Sequence, residues 1–108
     1  MKISLNRIQL KMVYKLFNKN RWGAGHMLDE DLCKGFPSGI GDLIDQSIGK
    51  LIKSQILLES KKGRETHYCL NKKLMKLILR IIDWYNNNLE ILKNKSWSEN
   101  IDLDLEDL

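Results

Sequence analysis

The sequence predicts a mainly α fold that carries one small β-hairpin and ends in a long helix. Apolar residues recur at steps of three and four in three separate stretches, the periodicity of a helix with one buried face. Two short runs rich in strand formers flank a basic, glycine-containing segment, the pattern of a hairpin. The 108 residues include one proline, which favours long regular elements over a loop-rich β architecture.

In residues 4–17, Leu5, Ile8, Met12, Val13, Leu16 and Phe17 share one side of a first helix, with Ser4 as its N-cap. Arg7, Lys11 and Lys15 occupy the other side and predict a basic flank. Asn18-Lys19-Asn20 ends the helix before the glycine-rich Trp22-Gly23-Ala24-Gly25. Asp29, Glu30 and Asp31 suit the positive end of a short second helix, which Gly35 and the turn Phe36-Pro37-Ser38-Gly39 terminate. A third helix over residues 39–53 follows from the stripe Ile40, Ile44, Ile48, Leu51 and Ile52. It leaves Asp42, Asp45, Gln46, Gly49, Lys50 and Lys53 towards solvent, and Gly39, Gly41 and Gly49 each weaken it by about 1 kcal/mol.

Residues 56–60 and 66–70 are the two strands, joined by Lys61-Lys62-Gly63-Arg64-Glu65. Helical spacing resumes over residues 72–93, which at 1.5 Å per residue predicts a helix about 30 Å long. Within it Leu74, Ile78, Ile81, Tyr85, Asn88 and Leu92 step like a heptad seam, while Met75, Leu79, Ile82 and Leu89 form a second apolar side. One side serves the parent domain; the seam is expected to pair with a second copy as a homodimer, Asn88 setting its register. The division is then one domain over residues 1–95 and an acidic tail over 96–108, expected to be flexible, where acids and aliphatics alternate.

Charge follows the same division. Residues 1–95 carry +9 and residues 96–108 carry −5, inside an overall +4. A body this basic attracts phosphate through long-range steering and counterion release. The tail is expected to solvate the chain, to dock on a protein partner, or to cover the basic body. No amino-terminal leader and no apolar run of roughly 18 residues is seen, so no membrane association is expected. Cys33 and Cys69 stand alone, which fits reduced thiols in the cytoplasm. His26, Cys33, His67 and Cys69 lack the paired spacing of a zinc site, so neither metal nor cofactor is expected. The sequence contains no phosphate-cradling glycine loop with a lysine, no nucleophile elbow and no metalloprotease helix, and an enzyme is not expected.

Over residues 4–93 the order helix, short helix, turn, helix, strand, basic hairpin, strand and long helix resembles winged helix-turn-helix proteins. Trp22-Gly23-Ala24-Gly25-His26, Lys34-Gly35-Phe36-Pro37 and Leu51-Ile52-Lys53-Ser54-Gln55-Ile56-Leu57 resemble small winged-helix domains of archaea and their mobile elements. The resemblance implies a transcriptional regulator that binds double-stranded DNA, its third helix in the major groove and its hairpin on the adjacent backbone. Ser38, Gln46, Lys50, Lys53, Lys61, Lys62 and Arg64 would be the contacts. Gln46 suits adenine, Lys50 and Lys53 suit guanine or phosphate, and the hairpin cations suit the backbone. Asp42 and Asp45 depart from this pattern because acids on a groove-facing helix repel phosphate. They support the alternative of a protein-interaction module serving as a scaffold in a larger assembly.

Overall fold

The computed structural model describes residues 2–105. The chain opens with a strand: β1 (Lys2–Asn6) turns Ile3 and Leu5 inward and leaves Lys2 and Ser4 exposed. It pairs antiparallel with β5 (Asn100–Asp104), Leu5 opposite Ile101 and Ile3 opposite Leu103. The expected flexible tail is thereby corrected as far as Leu105. Alternation of acids and aliphatics is also the period of a strand with one wet face, and here Ile101, Leu103 and Leu105 are buried while Asp102 and Asp104 are exposed. Residues 106–108 of the expected tail lie outside the described residues.

The first helix, α1 (Arg7–Asn18), is capped by Asn6 and not by Ser4, which stands in β1. Asn6 Oδ1 accepts the Gln9 backbone N–H at 2.8 Å, and Gln9 Oε1 accepts the Asn6 N–H at 2.8 Å. This reciprocal box satisfies two donors that a helix start leaves free. The box is buried, and it reaches across to α3 (Gly41–Lys53). Asn6 Nδ2 donates to Ser47 Oγ at 2.9 Å, Gln9 Nε2 to the Ser47 carbonyl at 3.2 Å, and the Ser47 hydroxyl to the Leu43 carbonyl at 2.7 Å. A buried, satisfied polar network of this kind permits one relative placement of two helices, because any slip orphans its members. Asn6→Ala removes the cap and the amide that donates to Ser47 Oγ, leaving that hydroxyl only its bond to the Leu43 carbonyl. The expected loss is roughly 2–3 kcal/mol, or about 8–15 °C in melting temperature, against almost none for Ser4→Ala. Thermal denaturation of the two variants checks this, and equal losses would return the cap to Ser4.

Between these helices lie β2 (Met27–Leu28) and the short α2 (Asp29–Leu32), placed where the three acids predict it, with all three in its first turn. After α3 come β3 (Leu57–Lys62) and β4 (Glu65–Leu70), and the second sheet has the order β2-β4-β3, all antiparallel. Lys62 pairs with Glu65, so only Gly63 and Arg64 lie between the strands. Gly63 has φ +61°, and a two-residue hairpin of this kind needs a left-handed first residue that glycine supplies without strain.

Two features correct the expected fold class. Helix takes 48% and strand 24% of the described residues, and the strands form two separate sheets, so the fold is mixed α and β, not mainly α with one hairpin. The long C-terminal helix is broken into a 3-10 turn (Lys72–Leu74), α4 (Met75–Asn87) and α5 (Leu89–Lys93). The break falls at Asn88, whose side-chain amide donates to the Trp84 carbonyl at 2.7 Å, the kind of local bond by which asparagine competes with the helical ladder.

The heptad seam is corrected with it. Ile78, Ile81 and Leu92 are buried in the chain's own core, and Leu74 and Tyr85 pack against that core, Tyr85 with its ring 4.8 Å from Tyr14 of α1. Asn88 ends α4 instead of setting a register. Of the second apolar side, Ile82 is buried, whereas Met75, Leu79 and Leu89 are exposed. Periodicity reports both stripes equally; the position of α1 decides which one turns inward. Among the described residues, no helix is long and apolar enough to cross a membrane.

Candidate nucleic-acid interface

Burial of Ile44, Ser47, Ile48 and Leu51 turns the other side of α3 outward. Asp42, Asp45, Gln46, Gly49, Lys50 and Lys53 are all exposed there, as the stripe predicts. Charge is graded along this face: Asp42 stands in the first turn and Lys50 and Lys53 in the last. That order complements the helix dipole, acid at the positive end and base at the negative end, so Asp42 has a local structural role, whereas Asp45 stands beyond the first turn. Gly39 precedes the helix with φ +87°, in the turn that also holds the exposed Ser38, and the helical penalty expected for it does not apply. Gly49 sits amid the exposed face, and nothing lies within 4 Å of where its Cβ would stand. Bare helical backbone is therefore open to close approach between Gln46 and Lys53.

The register of the hairpin makes Lys61 and Lys62 strand residues and leaves only Arg64 with Gly63 at the tip. Successive side chains of a strand point to opposite faces. Lys61, opposite Thr66, shares a face with the core residues Leu57 and Tyr68; Lys62, opposite Glu65, shares the other with Ser60 and His67. The three cations are exposed, and among the described residues no side-chain hydrogen bond or ion pair engages them. They do not form one loop cluster, as the sequence suggests, but flank and tip a projecting ribbon.

The basic flank expected on α1 is corrected, because its three cations are already engaged. Arg7 lies 4.1 Å over the Trp97 ring and donates from Nη1 to the Lys95 carbonyl at 3.1 Å. Lys11 donates to the Gly35 carbonyl at 3.2 Å and lies 5.1 Å from the centre of Phe36, whose ring meets Trp97 edge-on. Lys15 donates to the carbonyls of Asp31, Leu32 and Lys34 at 2.7, 3.2 and 2.9 Å. It thus closes the C-terminal end of α2, where carbonyls lack helical partners. Burial, and then repulsion from Lys11, lowers the Lys15 pKa below its ordinary value. No sequence signal marks these roles, since the acceptors are main-chain carbonyls brought near α1 only by the fold.

The histidines and cysteines do not converge on a metal site. Cys33 closes α2 and its thiol donates to Asp29 at 3.8 Å. Burial, reinforced by the Asp29 charge, pushes that thiol up to about 11, so it stays protonated at neutral pH and is a poor thiolate ligand or nucleophile. Cys69 is buried, which raises its pKa as well. His26 and His67 stand 6.2 Å apart, ring to ring. Among the described residues, no group of three or more His, Cys, Asp or Glu side chains is placed to hold a metal. No protein-family model, curated protein or solved structure matches the chain.

Proposed function

We propose that the chain binds double-stranded DNA, as a transcriptional regulator acting in a cytoplasm that keeps Cys33 and Cys69 as the free thiols they are here. The observation that carries this reading is the contrast between two sets of cations. Arg7, Lys11 and Lys15 have partners within the fold, whereas Lys61, Lys62 and Arg64 project from a ribbon with none among the described residues. Ribbon cations of this kind suit backbone phosphates, which fix position and orientation without reading sequence. Lys50 and Lys53 on α3 bring the set to five, and Gln46 with the open backbone at Gly49 offers a place where base edges can be approached.

Five neutralised phosphates make a quantitative expectation. The logarithm of duplex affinity should fall with the logarithm of salt concentration at a slope of roughly −4 to −5. Electrophoretic competition with specific and nonspecific duplex across a salt series measures it, and the same gels count the copies bound per duplex. Absence of binding, or affinity indifferent to salt, would defeat the reading. The result would then favour a protein-interaction module, which Asp42 and Asp45 on the exposed face of α3 already support.

A further inference from the structure

We infer that the chain has a second, separate site, for a small molecule of the phosphate-monoester class with a planar or apolar body. The site is the cavity where the chain leaves α1 and enters β2 and α2. Its volume is about 660 Å³, within the range of small-molecule sites. The inference does not depend on the DNA reading.

Charge in this cavity is unbalanced. Of its lining cations, Lys15 is held by three carbonyls, and Lys34 pairs with Asp31, the cavity's one acid, at 3.0 Å. Among the described residues, Lys19 and Arg21 remain without a countercharge. Arg21 is fixed from both sides of its backbone: its N–H donates to the Leu16 carbonyl at 2.9 Å and its carbonyl accepts from Leu70 at 2.8 Å. Its Nε is nevertheless buried without an acceptor. A second orphan lines the same cavity, His67 Nε2, which is buried and 3.6 Å from the nearest Glu65 oxygen, beyond hydrogen-bonding reach.

Buried nitrogens without hydrogen-bond partners are rare, because water is lost and nothing replaces it; Arg21 Nε can only donate, and His67 Nε2 donates when it carries the ring proton. Two of them beside a lysine that has no countercharge among the described residues, in one cavity, call for an anionic acceptor with several oxygens. The guanidinium fork matches the oxygen pairs of phosphate, and Lys19 supplies the second charge that a dianion requires. The remaining walls are suited to a body behind that head. The tilted rings of His26 and His67 and the side chains of Met27 and Leu28 present flat and apolar surface.

Titration of the full chain with phenyl phosphate tests the site, followed through the Arg21 Nε–H and imidazole resonances, with inorganic phosphate and ionic-strength-matched chloride alongside. Saturable shifts at those groups are expected, tighter for phenyl phosphate than for inorganic phosphate and absent with chloride. Arg21→Gln should weaken binding roughly tenfold or more, Arg21→Lys should recover part of the loss, and Lys50→Ala should leave it within about twofold. The unsubstituted chain carries the test even if a variant at Arg21 folds poorly. The inference is overturned by the absence of saturable shifts up to about 10 mM phenyl phosphate, by equal shifts with chloride, or by equal losses in Lys50→Ala and Arg21→Gln. Shifts at Arg21 produced by duplex DNA alone would also overturn it and assign these cations to the DNA backbone. Phenyl phosphate binding in a chain that binds no duplex would uphold this site and defeat only the reading under Proposed function.

Discussion

Deletion of residues 97–108 is expected to remove most of the chain's folding stability. Ile101, Leu103 and Leu105 are buried, and Trp97 packs under the Arg7 guanidinium and in an edge-on pair with Phe36. At about 1.5–3 kcal/mol for each aliphatic side chain removed from the core, the loss is roughly 5–9 kcal/mol, the size of a typical domain's total stability. Deletion also strips β1 of its partner strand and uncovers Leu5. A circular-dichroism melt should show either no cooperative transition or a midpoint lower by more than about 15 °C. The point variant Leu103→Ala should cost about 2–5 kcal/mol, and the exposed Asp102→Asn within about 0.5 kcal/mol. An unchanged melt after deletion would show that the β1–β5 ribbon adds nothing to the core. The same reasoning alters how an anionic cover should be sought: truncation confounds charge with unfolding, whereas Asp102→Asn with Asp104→Asn removes charge and keeps the strand.

The ribbon was the least legible part of the fold, for identifiable reasons. Its two strands stand at opposite ends of the chain, and no local signal pairs Leu5 with Ile101. Leu5 continues the three-residue step to Ile8, so a strand residue extends a helical pattern by coincidence. The run Ile101-Asp102-Leu103-Asp104-Leu105 has strand alternation and a disordered segment's acidity at once, and only a partner strand decides between them. Elsewhere the signal was present but outweighed. Asn6 and Gln9 have the spacing of a capping box, yet Ser4 also satisfies the simpler cap rule. Asn86, Asn87 and Asn88 are three weak helix formers in succession, set inside an apolar pattern strong enough to hide the break. The positions of α2, α3 and the hairpin were legible because each depends on residues within its own few turns. At the candidate interface the identity of the exposed cations was legible, but not their facing. A one-residue difference in where the hairpin turns exchanges the faces of Lys61 and Lys62.

That facing makes the hairpin the place where DNA binding can be resolved by substitution. Replacing Lys61, Lys62 and Arg64 together by alanine should lower the salt slope by roughly 2–3 and weaken duplex binding roughly 10³-fold at about 50 mM salt. This follows because each phosphate contact contributes a power of about 0.9 in salt concentration relative to a 1 M reference. The three side chains are exposed and, among the described residues, unpaired, so stability should stay within about 0.5 kcal/mol and the loss is not one of folding. The single variants carry the geometry. Lys61 lies on the hairpin face that carries Leu57, Tyr68 and Leu70, which share one core with Ile44, Ile48 and Leu51 of α3, whereas Lys62 lies on the face of His67. A duplex that meets α3 and the hairpin together must therefore lose more from Lys61→Ala than from Lys62→Ala, with Arg64→Ala felt in either orientation. The reverse order would place the duplex across the His67 face. Gln46, Lys50 and Lys53 would then lie away from it, and α3 could not be the element that reads sequence.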